Sequence, residues 1–534
     1  MALSLSAEQK NLKNLFFGED LYIIPEYQRP YSWDEETCFQ MYSDITAAFA
    51  EKKEYFMGNI ILARGTNVGE ESRPEVVDGQ QRLLTVWLWL KAMSLLFPSF
   101  NKLKSSIELQ LWTIDVEIVP RIDSKVFEAD DASVIQEIWK LDESWVDSCS
   151  NSQYLVRIGN RILSKNQLMS NFISIYSWLK EFYSRISPQE IKSFIDYFIS
   201  QVYFLPIEMK GQSIDDAVDK ALKIFETINN RGQNLESADI FKSTLYSKAK
   251  SVHKEKMFIN DWVFLRSECD RLKISVDRLF RFYSHIIRGQ QNIVSMEMNL
   301  REFFVNENYS PLKMNDFEIV IDELKRIINI LSTINELRHG EGETSLLVSI
   351  MDYYTNSNPW FAVVTYMYKH ESDDLVPFMK NLIRFCYSYG TSLSIRFPLY
   401  EIISDIMHER SWEKKYVNEK VELSSVNSRL KKGYVLLDYY LRGLKASVKG
   451  YRFYEFITDL NAYKNLDYEI LSSLGNMYVM PKNAGLVDKD VDEWKDKIDS
   501  FKEIGDNLGV LVEIEKRDSQ INQRLISFLN RQIE

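Results

Sequence analysis

Residues 77–84 read Val77-Asp78-Gly79-Gln80-Gln81-Arg82-Leu83-Leu84. A short apolar run, 74–77, meets an acidic turn there, and two amides and an arginine lead into a long apolar stretch. This pattern predicts a strand, a tight turn and a buried helix. Helix N-termini and arginine side chains both suit phosphate groups, so the junction is a candidate polyphosphate site. An aspartate N-cap with a polar first turn explains the same residues, and the stretch alone favours that simpler interpretation.

Length and composition indicate a soluble, multidomain protein. The chain has 534 residues, of which 45% are hydrophobic and 27% are charged. This is too long for one ordinary core, so we expect two or three domains. Four cysteines are scattered singly, which argues against a cysteine-based zinc module and predicts a reducing, cytoplasmic location. Neither a secretory signal nor a transmembrane helix is expected.

Charge and histidine content narrow the functional classes. The net charge is −12, with 65 basic and 77 acidic side chains. Because duplex DNA is usually held by a basic face, binding of DNA by this chain is only weakly supported. Five histidines occur, and no two of them have the spacing of metal ligands. A histidine-based metal site is therefore not expected.

Hydrophobic periodicity predicts a mixed first half and a helical second half. In the first half we expect strands at 20–25, 55–63, 108–114, 116–119 and 201–209, and helices at 34–51, 78–97, 215–229 and 237–250, with a helical pattern across 130–200. Beyond 250 the chain is predicted to be overwhelmingly helical, and its charges are interpreted as solvated helix faces. From about 446, glycine and proline punctuate shorter elements.

Four separated segments share one chemistry. They are 25–33, which contains Tyr-Gln-Arg-Pro-Tyr-Ser-Trp, the glycine at 58, the stretch 78–82, and 225–242. Together they offer three arginines and a lysine, which suit triphosphate oxygens. The aromatic side chains of the first segment either stack on a base or belong to the core.

In this order and spacing, the four segments resemble the N-terminal module of the GmrSD-type restriction proteins. That family is widespread in bacterial phage defence, and its module is related to the ParB/sulfiredoxin-like nucleotide-binding fold. The resemblance covers about 8–90 and 200–246 well, and the helical insertion between them loosely. It implies binding and hydrolysis of a nucleoside triphosphate, of unspecified base, with Mg²⁺ or another divalent cation.

The resemblance also implies site residues. Asp78 would hold the divalent cation or activate water, Gln80 or Gln81 would orient the attacking water, and Arg82 would neutralise phosphate charge. The predicted nucleotide-binding residues are Tyr27, Gln28, Arg29, Trp33, Gly58, Gly79, Asn229, Arg231, Gly232 and Lys242.

A second resemblance lies near the C-terminus. Residues 474–483 and 494–497 are similar to the distal half of the family's HNH-type nuclease domain, with Asn476, Asn483 and Lys497 at the matching positions. The proximal half should supply a histidine as general base, and residues 451–463 contain none. A degenerate, inactive nuclease domain is therefore predicted. A generic helical C-terminus is the alternative.

These inferences predict an α+β protein. Its parts are a ParB/sulfiredoxin-like domain with a small mixed sheet (1–250, helical insertion about 125–200), a large all-helical region (251–445) and a small C-terminal domain (446–534). The predicted function is nucleoside triphosphate hydrolysis in a bacterial anti-phage system, coupled to nuclease action in a partner protein. A catalytically silent nucleotide-sensing scaffold and a DNA nuclease with an unrecognised centre are the alternatives. Oligomerisation is left open, and no membrane partner is expected.

Overall fold

The computed structural model describes most of the chain as two compact units, Met1–Ser247 and Lys248–Glu534. The residues outside its description are 1–4, 17–19, 67–72, 97–106, 109, 115–117, 149–152, 159–160, 215, 219, 222–236, 417–427, 446, 448–449, 459–467, 483–487 and 531–534. The division into three domains stays a prediction.

A mixed sheet of seven strands organises the first unit. Its strands are β1 (Leu5–Ala7), β2 (Lys10–Asn11), β3 (Tyr22–Ile24), β4 (Tyr55–Gly65), β5 (Glu75–Asp78), β8 (Ile122–Ser124) and β11 (Val202–Gly211). Their order is β1-β11-β4-β5-β3-β8, and β2 also pairs with β11. The strand β4 is parallel to β11 and antiparallel to β5, whereas β3 is parallel to both of its neighbours.

The first unit also contains eight described helices, of which α3 is buried along most of its length. They are α1 (Leu12–Leu15), α2 (Glu35–Ala50), α3 (Gln80–Leu96), α4 (Asp131–Lys140), α5 (Trp145–Ser148), α6 (Gln167–Ser184), α7 (Pro188–Gln201) and α8 (Ser237–Ser251). Every residue of α3 from Leu83 to Leu95 is buried, as its nearly all-round apolar sequence predicts. Within this core Trp89 stacks on Phe198, with ring centroids 5.1 Å apart.

Local signals place the helix ends where the sequence predicts them. The Asp34 side chain accepts a 2.8 Å hydrogen bond from Thr37 N at the start of α2, and acidic residues fill the first turn. The helix α7 begins with Pro188 and a capping box between Ser187 and Glu190. The predicted bounds of α2, 34–51, differ from the observed bounds by one residue at each end.

Two predicted elements of this unit differ from the structure. Within 108–114, residues 110 and 111 are helical and only β6 (Trp112–Ile114) is extended, pairing with β7 (Ile118–Pro120). The pattern across 130–200 was predicted to be helical throughout, yet β9 (Val156–Ile158) and β10 (Arg161–Leu163) form a hairpin inside it. Both short pairs have too few residues to establish a periodicity of their own.

The second unit is mainly helical. Its helices are α9 (Glu255–Arg271), α10 (Val276–Gln290), α11 (Leu300–Asn306), α12 (Pro311–Met314), α13 (Phe317–Arg338), α14 (Glu343–Asp352), α15 (Pro359–His370), α16 (Leu375–Tyr387), α17 (Tyr389–Ser392), α18 (Arg396–Met407), α19 (Ser428–Leu441), α20 (Tyr468–Leu471), α21 (Lys489–Glu503) and α22 (Asn507–Leu529). The interpretation of its charges as solvated helix faces is wrong for α10, where Arg288 is buried and both Arg278 and Arg281 are half-buried.

The C-terminal part of this unit contains one two-stranded sheet. Strand β12 (Tyr451–Glu455) pairs antiparallel with β13 (Met477–Pro481), and a 3₁₀ turn, Leu474–Asn476, precedes β13. A small apolar cluster that includes Trp494 and Ile514 joins α21 to α22.

The architecture confirms the predicted α+β class, with a small mixed sheet in the first unit followed by a large helical region. The relation to the ParB/sulfiredoxin-like fold stays a prediction. No helix among the described residues combines the length and the apolar character that crossing a bilayer requires.

Candidate functional site

At the end of β5 and the start of α3, the Asp78 carboxylate and the Arg82 guanidinium lie next to each other. Arg82 Nη2 lies 3.4 Å from Asp78 Oδ2 and donates a 2.9 Å hydrogen bond to Asn59 O. Both charged side chains keep about a quarter of their surface exposed. Gly79, with φ of +92°, turns the chain between strand and helix, and a Cβ there would lie 3.0 Å from Asn59 O. Solvent can therefore reach a carboxylate and a guanidinium that the backbone holds in place.

Gly58 makes the space that the Arg82 side chain occupies. A Cβ built at this glycine would lie 2.3 Å from Arg82 Nη1, and its φ is +111°. The pairing between β4 and β11 also shifts register here, because Tyr203 pairs with Phe56 and Phe204 pairs with Gly58. The irregular, side-chain-free strand thus lets the guanidinium lie directly against the sheet backbone.

Replacing Gly58 by alanine is expected to lower the free energy of unfolding by about 1–3 kcal/mol, because it combines an unfavourable φ with a steric clash. Chemical denaturation of the purified protein measures this change. Gly443→Ala is the matched control, since Gly443 also has a positive φ (+74°) but open space around the missing Cβ. Equal losses for the two variants would show that the Arg82 contact contributes nothing.

Three glutamine amides fix the loop 25–33 to the same junction. Gln28 Nε2 donates to Val77 O at 2.8 Å, and Gln80 Nε2 donates to Arg29 O at 3.0 Å. Gln81 is bonded at both ends of its amide: Oε1 accepts from the backbone N–H groups of residues 32 and 33 at 2.8 and 3.3 Å, and Nε2 donates to the carbonyl of residue 30 at 3.1 Å. The buried amides therefore set the position of the loop relative to α3.

Side chains from the helical insertion hold the loop from its other side. Tyr31 N donates to Asp131 Oδ2 at 2.8 Å, and the Tyr31 hydroxyl lies 2.7 Å from Thr85 Oγ1. Asn171 Nδ2 donates to Trp33 O at 2.7 Å. Burial raises the pKa of Asp131, and the hydrogen bond from Tyr31 N opposes this shift. The insertion is thus part of the site's framework.

Lys242 supports the loop from behind. Its ammonium forms a buried ion pair with Glu128 and donates a 3.0 Å hydrogen bond to Gln28 O. The Lys242 and Glu128 side chains are only 2% and 4% exposed, and the ammonium also lies 4.4 Å from the centroid of the Phe127 ring. The structure brings Lys242 to the predicted site, at the back of the loop and within an ion pair.

The environment of Asp78 favours its neutral form more than water does. Burial raises the pKa of Asp78, while Arg82, the Gly79 backbone N–H and Arg29 act in the opposite direction. Arg29 is thus close enough to act electrostatically on Asp78, so charged groups from two distant segments meet in one place.

The two predicted aromatic residues of the loop belong largely to the protein interior. Tyr27 is 9% exposed, and Trp33 is half-buried and packs against the main core. Stacking of either ring on a base stays a prediction. Asn229, Arg231 and Gly232 lie outside the described residues.

A single carboxylate at this junction suits Mg²⁺, which proteins often bind through one or two carboxylates together with substrate phosphates and water. Asp78 is that carboxylate. Within the described ranges, no group of three or more His, Cys, Asp or Glu side chains forms a metal cage.

The predicted nuclease residues lie in the second unit. Asn476 is buried, and its amide accepts from Ile457 N at 3.0 Å and donates to Ile457 O at 3.3 Å, which braces the turn before β13. Lys497 is exposed, with its ammonium 4.7 Å from the centroid of the Trp494 ring. Asn483 lies outside the described residues. The degenerate nuclease domain stays a prediction.

Sequence reasoning missed the polar residues that hold the loop from a distance. These are Glu128, Asp131 and Asn171, none of which lies near a recognisable motif. Asp131 and Asn171 follow their partner Tyr31 by 100 and 140 residues. Their residue types alone give only a weak signal of this role. A buried acid or amide needs a hydrogen-bond partner, but the sequence does not show which residue supplies it.

The sequence matches a family model described as the N-terminal domain of the GmrSD restriction endonuclease, over residues 12–246. No curated protein matches the chain. The matched range contains the whole junction, the loop and the insertion that supports them. The match points to a protein of restriction and anti-phage defence.

Proposed function

We propose that residues 12–246, which match the model of the GmrSD restriction endonuclease N-terminal domain, bind and hydrolyse a nucleoside triphosphate. The observation that carries the proposal is the solvent-accessible pair of Asp78 and Arg82, with Arg82 set against Gly58 and Arg29 acting on the same carboxylate. The proposal places the triphosphate across the end of β5 and the start of α3.

Electrostatics supplies the main chemical reason. Phosphoryl transfer depends largely on positioning and on neutralising charge at the phosphate oxygens. Arg82 and Arg29 would provide positive charge from two sides, and the N-terminus of α3 would add free backbone N–H groups. Asp78 would bind the phosphate-associated Mg²⁺ or another divalent cation, which supplies further charge neutralisation when bound.

The two glutamines of the motif have different roles in this proposal. Gln81 already accepts two backbone N–H groups and donates to a carbonyl, so we assign it to holding the loop. Gln80 is 5% exposed, and its Oε1 lacks a hydrogen-bond partner in the described part of the chain. This buried acceptor makes Gln80 the better candidate for orienting the attacking water.

A nucleotide-sensing scaffold without catalysis is the second candidate. Arg82 is already bonded to Asp78 and to Asn59 O, and an engaged arginine is compatible with a ligand that only shifts a conformational equilibrium.

Phosphate release and thermal unfolding, measured with each of the four common ribonucleoside triphosphates and Mg²⁺, test the proposal. Hydrolysis gives both phosphate and a rise in the melting temperature, whereas a silent sensor gives the rise alone. Neither signal with any nucleotide, from a folded protein, would overturn both candidates.

Coupling to a partner is the remaining part of the proposal. We place nuclease action in a second defence protein, because residues 451–463 lack the histidine that an HNH centre needs. Plasmid nicking by the isolated chain with Mg²⁺ or Mn²⁺ tests this assignment. Cleavage without any added protein would instead assign the nuclease centre to this chain.

The raised pKa of Asp78 predicts a pH effect on stability. A folded-state pKa above the unfolded value means that the folded chain binds the proton more tightly, so stability rises as the pH falls through the folded-state pKa. Wild type is therefore expected to gain stability relative to Asp78→Asn as the pH falls from about 7 to about 4, near the ordinary pKa of aspartate. Chemical denaturation of both proteins at the two pH values measures this difference, and a change in the opposite direction would contradict it.

A further inference from the structure

The helix α10 presents a row of basic side chains on one face. Arg278, Arg281, His285 and Arg288 follow one another at spacings of three, four and three residues. At 3.6 residues per turn this spacing confines the four side chains to an arc of about 80°. In a chain with a net charge of −12, the row is an unusual local concentration of positive charge. The row lies in the second unit, and it shares no residue with the proposed nucleotide site.

The two residues nearest the C-terminal end of the row are deeply buried. His285 is 1% exposed and Arg288 is 2% exposed. Arg288 Nη2 donates to Ser295 O, whereas its Nε and Nη1 have no hydrogen-bond partner among the described residues. Both ring nitrogens of His285 also lack one within that part of the chain. Buried polar groups are nearly always satisfied, so Nε and Nη1 of Arg288 and the single N–H of the neutral His285 ring call for an acceptor.

One carboxylate faces the row. Arg281 binds Glu297 through two hydrogen bonds of 2.6 and 2.7 Å, and His285 Nε2 lies 3.5 Å from Glu297 Oε1. Among the described residues, no other carboxylate forms an ion pair with these side chains. Three guanidinium groups thus share one carboxylate, Glu297, which acts electrostatically on each of them.

Burial is the main influence on the pKa values of Arg278, His285 and Arg288. Burial lowers the pKa of Arg278 to about 10, and repulsion from Arg281 adds to the shift. Burial also lowers the pKa of His285, so the ring is neutral at neutral pH. The charge of the buried Arg288 guanidinium, whose hydrogen bond goes to the neutral Ser295 carbonyl, is costly unless an anion is bound.

Aromatic rings and hydroxyl groups complete the surroundings. The Arg288 guanidinium lies 4.9 Å from the centroid of the Tyr400 ring, and the Arg278 guanidinium lies 4.3 Å from that of Phe361. Arg396 and Tyr309 also act electrostatically on this group, through Tyr400 and Arg288 respectively. Arg396 acts on Tyr400 as a further positive charge, and Glu307 acts on Tyr309 as a negative one.

We propose that the face formed by Arg278, Arg281, His285 and Arg288 binds the phosphate group of an anionic ligand. Glu297 mimics that group in the ligand-free protein, because its two oxygens bind Arg281 in the forked manner in which arginine binds phosphate. The segment 291–299, which carries Glu297 and the Ser295 carbonyl, is largely exposed. It lifts away when the ligand enters and exposes the unpaired nitrogen atoms of Arg288.

Inorganic phosphate and an oligonucleotide with a 5′-phosphate share this chemistry, and calorimetric titration separates them. Both ligands, together with the same oligonucleotide carrying a 5′-hydroxyl, are titrated at constant ionic strength. All titrations use an Arg82→Ala background, which removes the main cation of the first site. Phosphate binding is expected, and a preference for the 5′-phosphate over the 5′-hydroxyl would identify a nucleic-acid end as the source.

Three variants decide whether binding occurs at α10. Glu297→Gln removes the competing carboxylate and is expected to tighten phosphate binding, whereas Arg288→Gln is expected to weaken it by about tenfold or more. Arg288→Lys, which keeps the charge and loses the fork, is expected to give an intermediate affinity. Lys256→Gln is the charge-matched control on the exposed surface of the same unit, and it should change little.

Several outcomes would overturn the proposal. They are an absence of phosphate binding in both the Arg82→Ala protein and its Glu297→Gln derivative, equal affinities with and without Arg288→Gln, or an equal loss from Lys256→Gln. Circular dichroism of each variant establishes that it is folded. Should Arg288→Gln fail to fold, the opposite changes expected from Glu297→Gln and Arg288→Lys still decide the question.

Discussion

Replacing Arg82 by alanine is expected to lower nucleoside triphosphate hydrolysis by about 100-fold or more in a protein that remains folded. The physical reason is that the guanidinium lies at the solvent-accessible end of β5, where its charge faces the proposed phosphate position. Its side chain is 28% exposed, so truncation leaves no large cavity. Steady-state phosphate release at saturating nucleotide and Mg²⁺ measures the effect, and thermal unfolding reports on the fold.

Arg185→Ala provides the matched control for this experiment. Arg185 also forms an i,i+4 pair, with Glu181, but its side chain is 70% exposed on the surface of the same unit. Its removal should leave hydrolysis unchanged. Full activity in the Arg82→Ala protein would contradict the assignment of Arg82, and an equal loss in both variants would point to a general charge effect.

The largest expected effect on stability comes from Lys242→Met. This change removes the ammonium that pairs with the Glu128 carboxylate, which is 4% exposed, and it also removes the hydrogen bond to Gln28 O. Removing one partner of a buried ion pair typically costs about 3–5 kcal/mol. Chemical denaturation should show a loss of that size, and the loop 25–33 should become more susceptible to limited proteolysis.

A double variant separates loss of the ion pair from loss of packing. Lys242→Met combined with Glu128→Leu removes both charges and should recover most of the lost stability. Lys220→Met is the surface control, because Lys220 pairs with Asp216 and is 24% exposed; it should cost less than about 1 kcal/mol. If the double variant were as unstable as the single one, the buried charge could not be the cause.

Much of the first unit follows from local sequence. The strand at 55–63 and the helices at 34–51 and 78–97 are found close to their predicted bounds, because caps, turns and apolar runs act over a few residues. We also expected the loop 25–33 to lie at the junction 78–82. Both segments carry polar and charged side chains that suit one phosphate ligand.

The other features of the site depend on contacts between residues that are far apart in the sequence. The use of Gln81 as a loop clamp could not be predicted, because an amide suits both a backbone contact and a catalytic water. The buried face of α10 was misinterpreted for a related reason. A row of arginines is usually solvated, and only packing against Tyr400 and Phe361 reveals that this one is not.

The side chains of residues 78–82 point either outward or inward, and this determines which substitutions can be interpreted. Asp78 and Arg82 face outward and can be exchanged with little harm to the architecture, whereas Gln80 and Gln81 face inward and fasten the loop. An inactive but intact version of this protein is therefore best made at the outer positions. Changes at the inner pair would dismantle the framework together with whatever chemistry it carries, and a loss of activity there would be uninformative about mechanism.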